Sequence, residues 1–319
     1  MNYALPREQP LESPLVPLHV RTPLMRTELA GRAVRLKLEN LQPARSFKIR
    51  GVGRLCQHEQ AHGAHALVCS SAGNAGYAVA WAGRELGLPV TVVLPETSTP
   101  WMRDRIRALD ANVVVHGEVW DDANQHALAL AREPGVAYIP PFDHPVLWEG
   151  HASLVDELAG QCQRAPEAIV VAVGGGGLLL GVLQGLKRHG WHDTRVLAVE
   201  PQGAAGLAAS LNRGEVIELS APQSVATSLC VRQVSAALLP ACREHPVTPV
   251  QVSDEACRQA CVALAESVGM VVEPACGAAL VPLLEDHPAL AGLRDVVVVV
   301  CGGQVVTLDD LAAWSRQGT

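Results

Sequence analysis

The strongest constraint on the fold is a repeating pattern of short apolar runs, turns and amphipathic segments. In the first repeats, ALVCS (66–70) precedes NAGYAVAWAGRELG (74–87), and VTVVLP (90–95) precedes WMRDRIRALD (101–110). Strands that alternate with helices in this way predict βαβ units, because parallel strands need a long crossover that a helix supplies. The chain is therefore predicted to be an α/β protein with a largely parallel sheet.

A second series of apolar runs follows Pro140–Pro141 and predicts a second sheet. Its predicted buried strands are IVVAV (169–173), RVLAVE (195–200) and VVVVVCGG (296–303). The early run VRLKLE (34–39) is assigned to this second series. We therefore predict two lobes, each an open, mostly parallel, twisted sheet flanked by helices.

The domain boundaries follow from this assignment. Residues 1–42 and 147–319 are predicted to form a large domain, and residues 43–146 a small domain inserted into it. One uncharged stretch, AIVVAVGGGGLLLGVLQGL (168–186), is about as long as a membrane span. Its central glycines favour a buried strand, a turn and a helix instead, so no membrane segment is expected.

Charge and cysteine content exclude some classes of protein. The formal net charge of −7, without a Lys/Arg cluster in the sequence, argues against a nucleic-acid partner. The nine cysteines are scattered, with no CxxC pair, and the N-terminus shows no secretory signal. A reduced cytoplasmic protein is therefore expected.

Three glycine-rich turns lie where ligands of open α/β sheets bind, beyond the carboxyl ends of strands: residues 70–76, residues 174–178 and residues 301–303. SSAGNAG (70–76) joins a strand to a helix and would form an anion cradle, with the Asn74 side chain beside it. The alternative is an ordinary tight turn with Asn74 as helix cap. Gly174–Leu178 is the second turn, and its consecutive N–H groups suit a phosphate. No GK[ST] follows it, so it is not a P-loop.

The same glycines permit a different interpretation. Gly175, Gly177 and Gly181 form a loosened GxGxxxG, and Glu200 ends the next predicted strand, where a ribose-binding acid would lie. The strict spacing of the dinucleotide fingerprint is not met. A nicotinamide-dependent oxidoreductase that uses the 175–181 turn therefore stays an alternative.

A lysine and a cysteine complete the set. Lys48 lies between apolar residues in ARSFKIRG (44–51), and a desolvated lysine has a lowered pKa and a free amine that attacks carbonyl groups. Cys301 ends the valine run, where it is either a core residue or a polar group of a site. Two anion cradles, an amine and a polar group would together hold pyridoxal phosphate beside an amino acid.

Five motifs, in order, resemble those of fold-type II pyridoxal-phosphate (PLP) enzymes, the tryptophan synthase β-like fold. They are SFKIRG, SSAGNAG, VGGGGLL, EPACGAA and VVVCGG. FDHPVLWEGHASLV further resembles the short L-serine dehydratases, and the resemblance runs from about residue 17 to 310. It implies an ammonia-lyase that converts L-serine to pyruvate and ammonia, and L-threonine to 2-oxobutanoate and ammonia. It also implies a homodimer.

The resemblance assigns roles to individual residues. Lys48 would carry the cofactor as a Schiff base and act as the general base. Phe47 and Ser228 would flank the two faces of the pyridine ring, Asn74 would bind its 3′ oxygen, and Cys301 would face its nitrogen. The phosphate would be held by the amides of Gly174, Gly175, Gly176, Gly177 and Leu178. The substrate carboxylate would be held by Ser71, Ala72 and Asn74.

A monovalent cation is also implied by the resemblance. Its ligands would be the Glu200 carboxylate and the carbonyls of Gly174, Ala204, Leu229 and Val231. Oxygen ligands alone suit a hard cation, and potassium is expected. The alternative for Glu200 is a solvated carboxylate at a strand end. A further alternative for the whole chain is a catalytically silent protein that binds PLP or an amino acid, because fold does not guarantee activity.

Overall fold

The computed structural model describes residues 16–303 and 305–317. Within this part of the chain the strands are β1 (Leu24–Leu29), β2 (Arg32–Leu38), β3 (Ala66–Cys69), β4 (Val90–Leu94), β5 (Asn112–Val115), β6 (Val136–Tyr138), β7 (Ala168–Ala172), β8 (Arg195–Pro201), β9 (Val247–Val252) and β10 (Val296–Val300). The helices are α1 (Lys48–Ala61), α2 (Asn74–Leu86), α3 (Pro100–Arg107), α4 (Trp120–Leu130), α5 (Pro145–Gln161), α6 (Gly177–Arg188), α7 (Gly206–Arg213), α8 (Leu238–Glu244), α9 (Asp254–Val268), α10 (Pro274–Leu284) and α11 (Leu308–Gln317).

The described strands form two sheets, which confirms the predicted α/β fold with two largely parallel sheets. The larger sheet has the order β1-β2-β10-β7-β8-β9, and the smaller has the order β5-β4-β3-β6. All neighbours are parallel except β1 and β2, which pair antiparallel. The edge strand β1 was not predicted, because its sequence LMRTEL lacks an apolar run and only Leu29 is buried.

The early strand β2 lies beside β10, near the other end of the sequence. Arg35 is opposite Val297 and Leu38 is opposite Val300. All five valines of β10 are buried, as expected for a parallel strand covered by helices on both faces. The boundaries at residues 42/43 and 146/147 stay a prediction, since α1 and α5 pack against each other across them.

The uncharged stretch 168–186 forms β7, a turn and α6. β7 is buried along its whole length, and most of α6 is buried as well. Among the helices of the described residues, none combines the length and hydropathy that a bilayer crossing needs.

A buried ion cluster ties the start of α1 to the larger sheet. The Arg50 side chain is fully buried and donates to both carboxylate oxygens of Glu39, Nε–Oε2 at 2.6 Å and Nη2–Oε1 at 2.7 Å. Its Nη1 donates to Glu157 Oε1 on α5 at 2.8 Å. Lys37 on β2 also donates to Glu157. Because α1 begins at Lys48, two residues before Arg50, this cluster fixes where that lysine lies.

Arg50→Ala should lower the free energy of unfolding by about 3–5 kcal/mol, because it leaves the buried Glu39 carboxylate without its cation. Urea denaturation measures the change. Arg54→Ala on the same helix is the matched control, since its ion pair with Glu149 is half exposed and 3.7 Å long. The Arg54→Ala substitution should lower the free energy of unfolding by less than about 1 kcal/mol. Equal losses in the two variants would contradict a stabilising role for the buried cluster.

Candidate active site

The predicted turns lie at the carboxyl ends of parallel strands. Ser70 follows β3, Gly174 lies just beyond β7, and Cys301 follows β10. Backbone hydrogen bonds connect the residues just before Lys48 to residues 301–303, at the end of β10. Phe47 N donates to Cys301 O at 2.9 Å, and Gly303 N donates to Arg45 O at 3.2 Å. Lys48, the first residue of α1, therefore lies next to the end of β10.

The Lys48 amine lies in a desolvated position. Its Nζ donates to the carbonyl of Pro141 at 2.6 Å and lies 5.2 Å from the centroid of the Phe47 ring. Burial lowers the pKa of Lys48 to about 8, although the nearby Cys301 and Glu273 act in the opposite direction. More of this lysine is therefore a free amine at neutral pH than is usual for a lysine.

A buried carboxylate joins two of the predicted residues. Glu273, just before α10, accepts from Asn74 Nδ2 at 2.9 Å on both oxygens and from Ser228 Oγ at 2.8 Å. Asn74 is itself buried, and its Oδ1 has no hydrogen-bond partner within the described chain. A buried acceptor without a donor is costly, so this oxygen suits a hydroxyl group of a ligand.

Cys301 is paired with a second thiol. Its Sγ lies 3.3 Å from Cys276 Sγ, and Cys276 Sγ lies 2.8 Å from Gly302 O and 3.0 Å from Gly302 N. The hydrogen bond with Cys276, together with burial, raises the pKa of Cys301 well above its ordinary value. Cys301 is therefore a neutral thiol at physiological pH, a point that the sequence left open.

The Gly174–Leu178 turn presents free amides at the start of α6. None of its five N–H groups donates to another described residue. A Cβ at Gly175 would lie 2.3 Å from the Phe142 ring, and Gly176 has φ +93°, which favours glycine. The turn therefore requires glycine and leaves its amides available, as a phosphate site needs.

The second cradle lies at the start of α2. Ser71 and Ala72 are partly buried, and Asn74 is the first residue of the helix. A Cβ at Gly76 would lie 1.9 Å from Ser71 O, so glycine lets the turn fold back onto the helix. The structure brings Ser71, Ala72 and Asn74 together, while their role toward a substrate carboxylate stays a prediction.

The predicted cation ligands are partly brought together. Glu200 is fully buried, which contradicts the alternative of a solvated carboxylate. Its oxygens accept from Leu207 N at 2.7 Å and Ala208 N at 2.8 Å, while burial raises the pKa of Glu200 to about 7. Gly174 packs against the backbone of Leu229, since a Cβ there would lie 2.9 Å from Leu229 Cα.

The other two predicted carbonyl ligands lie on nearby turns. Ala204 is buried in the turn that follows β8. Val231 N donates to Leu229 O at 3.0 Å, so the Leu229 carbonyl already accepts one hydrogen bond. A carbonyl oxygen has two lone pairs, and one of them stays available to a cation.

Sequence reasoning missed the roles of three residues near this site: Phe142, Glu273 and Cys276. Glu273 and Cys276 belong to the EPACGAA motif, so a charged residue before an apolar helix was the available signal. The His151 ring is buried, 4.9 Å from the Phe47 ring, and neither ring nitrogen has a partner within the described residues. Burial lowers the pKa of His151 well below its ordinary value, so it packs as a neutral ring.

These features define a class of site. A reactive amine suits the aldehyde of pyridoxal phosphate, and five free amides suit its phosphate. The unpaired oxygen of Asn74 suits its 3′ hydroxyl. The residues present therefore fit this cofactor, and the fold and site are those of a PLP enzyme.

Comparison with known proteins gives the family. The chain matches the model of the family described as "Pyridoxal-phosphate dependent enzyme" over residues 13–302, and it belongs to that family. It is 44% identical to mouse "L-serine dehydratase/L-threonine deaminase" (94% of this chain, 96% of the relative) and 43% identical to human "Serine dehydratase-like" (93% and 94%). It superposes on an L-serine ammonia-lyase from Rhizomucor miehei with a TM-score of 0.88 and 36% identity (95% and 99%).

The lowered pKa of Lys48 predicts a pH-dependent reaction of its amine. In the cofactor-free protein, acetylation of Lys48 should rise with pH and reach half its maximal rate near pH 8, because only the free amine reacts. Mass spectrometry of digested protein measures the labelling. The chain has three lysines, and Lys187, exposed on α6, is the reference lysine in the same digest. Identical pH profiles for the two lysines would contradict a desolvated site.

Proposed function

We propose that this protein converts L-serine to pyruvate and ammonia, and L-threonine to 2-oxobutanoate and ammonia. The observation that carries the proposal is the Lys48 amine, with its lowered pKa, beside the end of β10 and near two anion cradles. The names of the relatives, L-serine dehydratase/L-threonine deaminase and L-serine ammonia-lyase, support the same reaction.

Different side chains of this protein would have different roles in the reaction. When bound, pyridoxal phosphate supplies an electron sink that makes the α-proton of an amino acid acidic. The free amine of Lys48 accepts that proton as general base. The start of α2, with Ser71, Ala72 and Asn74, holds the substrate carboxylate. The β-hydroxyl takes up a proton and leaves as water, and addition of one water to the released enamine then gives the oxoacid and ammonia.

Cys301 biases the outcome toward elimination. A thiol with a raised pKa is neutral, so it would donate a hydrogen bond to the ring nitrogen of a bound cofactor and, unlike an aspartate, would not keep that nitrogen protonated. Weaker electron withdrawal favours prompt loss of the β-substituent over transamination. Ala72 lacks a hydroxyl that would carry a proton on the opposite face, so little racemisation is expected.

The alternative of a nicotinamide-dependent oxidoreductase is wrong, since the chain belongs to the PLP family. Turnover distinguishes an enzyme from a catalytically silent binding protein. An enzyme loses its turnover when Lys48 is replaced by alanine, whereas a silent protein has no turnover to lose.

A potassium ion, a homodimer and a cytoplasmic location complete the proposal. The cation would lie between Glu200 and the carbonyls of Gly174, Ala204, Leu229 and Val231. Burial of a carboxylate whose pKa is raised supports a cationic partner there, because a cation would offset its desolvation. The family resemblance supports the dimer, and the scattered cysteines without a CxxC pair support the location.

Addition of L-serine to the yellow, PLP-loaded protein should shift its visible absorption band while pyruvate accumulates in the same cuvette. Lys48→Ala should lower turnover by at least about 10³-fold, because both the anchoring amine and the general base are lost. Lys187→Ala is the control and should retain full activity. A yellow protein that releases neither pyruvate nor 2-oxobutanoate would support the silent binding protein instead.

Potassium activation should depend on the ionisation of Glu200. The pKa of this carboxyl is raised to about 7, so protons compete with the cation as the pH falls below 7. The potassium concentration for half-activation should rise roughly tenfold per pH unit there, because one proton leaves for each ion bound. Glu200→Gln should abolish this pH dependence, and the exposed Glu244→Gln should keep it. A pH-independent potassium requirement in the unmodified protein would contradict a role for Glu200.

A further inference from the structure

A cavity lies at the opposite end of the larger sheet from Lys48. It has a volume of about 490 Å³ and lies at the amino ends of β2 and β10. Its lining includes Arg26, Arg35, Arg164, Arg294 and Asp295, and we call it the arginine cavity. The volume is within the range of small-molecule sites. No step of the proposed reaction uses these residues.

Two of these arginines face each other across the sheet. In the antiparallel register of β1 and β2, Arg26 is directly opposite Arg35, so both side chains extend from the same face. Like charges in this position destabilise a sheet. The effect is stronger here because the Arg35 side chain is only 10% exposed and is screened little by water.

The protein neutralises this charge only in part. Asp295 forms an ion pair with Arg35 and lies 3.9 Å from Arg164. Arg35 Nη1 donates to Cys162 Sγ at 2.8 Å, and its buried Nε has no hydrogen-bond partner in the described chain.

The remaining charges leave the cavity positive. Glu167 lies close by, but its carboxylate accepts the backbone N–H groups of Arg294 and Asp295 at 2.6 and 2.8 Å. No hydrogen bond or ion pair of the Arg26 or Arg294 side chain is found among the described residues, although the charge of Arg294 helps to lower the pKa of Glu167. Four guanidinium groups therefore share two carboxylates, in a chain whose net charge is −7.

We propose that the arginine cavity binds a small multivalent anion that carries phosphate or carboxylate groups. Guanidinium groups recognise both through paired N–H donors. Arg35, held by Asp295 and by Cys162, supplies a fixed donor at the base of the cavity. Arg26 and Arg294 supply donors at the exposed rim. A bound anion would relieve the repulsion between Arg26 and Arg35, which gives binding a source of free energy beyond its direct contacts.

Calorimetric titration of the PLP-saturated protein tests the site, because the cofactor then fills the Gly174–Leu178 cradle. Inorganic pyrophosphate and citrate are the two probes, titrated at constant ionic strength with sodium chloride, and the tighter one identifies the preferred group. We expect saturable binding at one site per chain. Arg26→Gln and Arg294→Gln should each weaken it by roughly 10-fold or more, since each removes a charged hydrogen bond. Arg132→Gln, exposed after α4, is the control and should bind as the unmodified protein does.

A thermal readout separates loss of the site from loss of the fold. Without added anion, Arg26→Gln should raise Tm, because it removes the like charge opposite Arg35. The same variant should show a smaller rise in Tm on addition of the anion, since ligand binding stabilises the native state only where it occurs. A lower Tm for anion-free Arg26→Gln would overturn the proposal. Equal binding by all variants, or no saturable binding of either probe up to about 10 mM, would also overturn it.

Discussion

The backbone hydrogen bonds between residues 45–47 and 301–303 bring the two ends of the sequence together, and the arrangement of the active site depends on them. They set the start of α1 against the end of β10, so Lys48 and Cys301 become neighbours. Arg50 fixes the same helix from its other side through Glu39 and Glu157. Lys48 is thereby held between these backbone hydrogen bonds and the ion cluster. Its amine is buried and donates to the Pro141 carbonyl rather than to a carboxylate.

Charge is distributed unevenly between the two ends of the larger sheet. At the carboxyl ends, buried groups are mostly neutral or paired: Cys301 is a thiol, His151 is an uncharged ring, and Glu273 accepts from Asn74 and Ser228. Such a site provides hydrogen bonds in fixed directions with few mobile charges, which is how proteins stabilise developing charge in a reaction. At the amino ends, the arginines have a surplus of positive charge. The two ends therefore differ in the ligands that they favour.

Sequence periodicity was sufficient for the α/β fold and for most strands. It also located the three turns, because strand ends and glycines are local features. It missed β9, whose run VTPVQV contains a proline, and β1, which is a strand because it pairs with β2 and not because of its own pattern. It could not find the bond from Lys48 to Pro141, or the position of Glu273 between Asn74 and Ser228. Those contacts join residues far apart in sequence and exist only once helices and sheets have packed.

The position of β10 has a consequence for how the chain folds. β10 lies between β2 and β7 in the larger sheet, yet among the described strands it is synthesised after all the others. The smaller sheet is made from one continuous stretch, β3 to β6, and can form while the rest of the chain emerges. Until residues 296–300 are inserted, β2 and β7 both expose open edges, which are templates for aggregation. The same step delivers Cys301, so a folding intermediate that lacks β10 also lacks one residue of the proposed cofactor site.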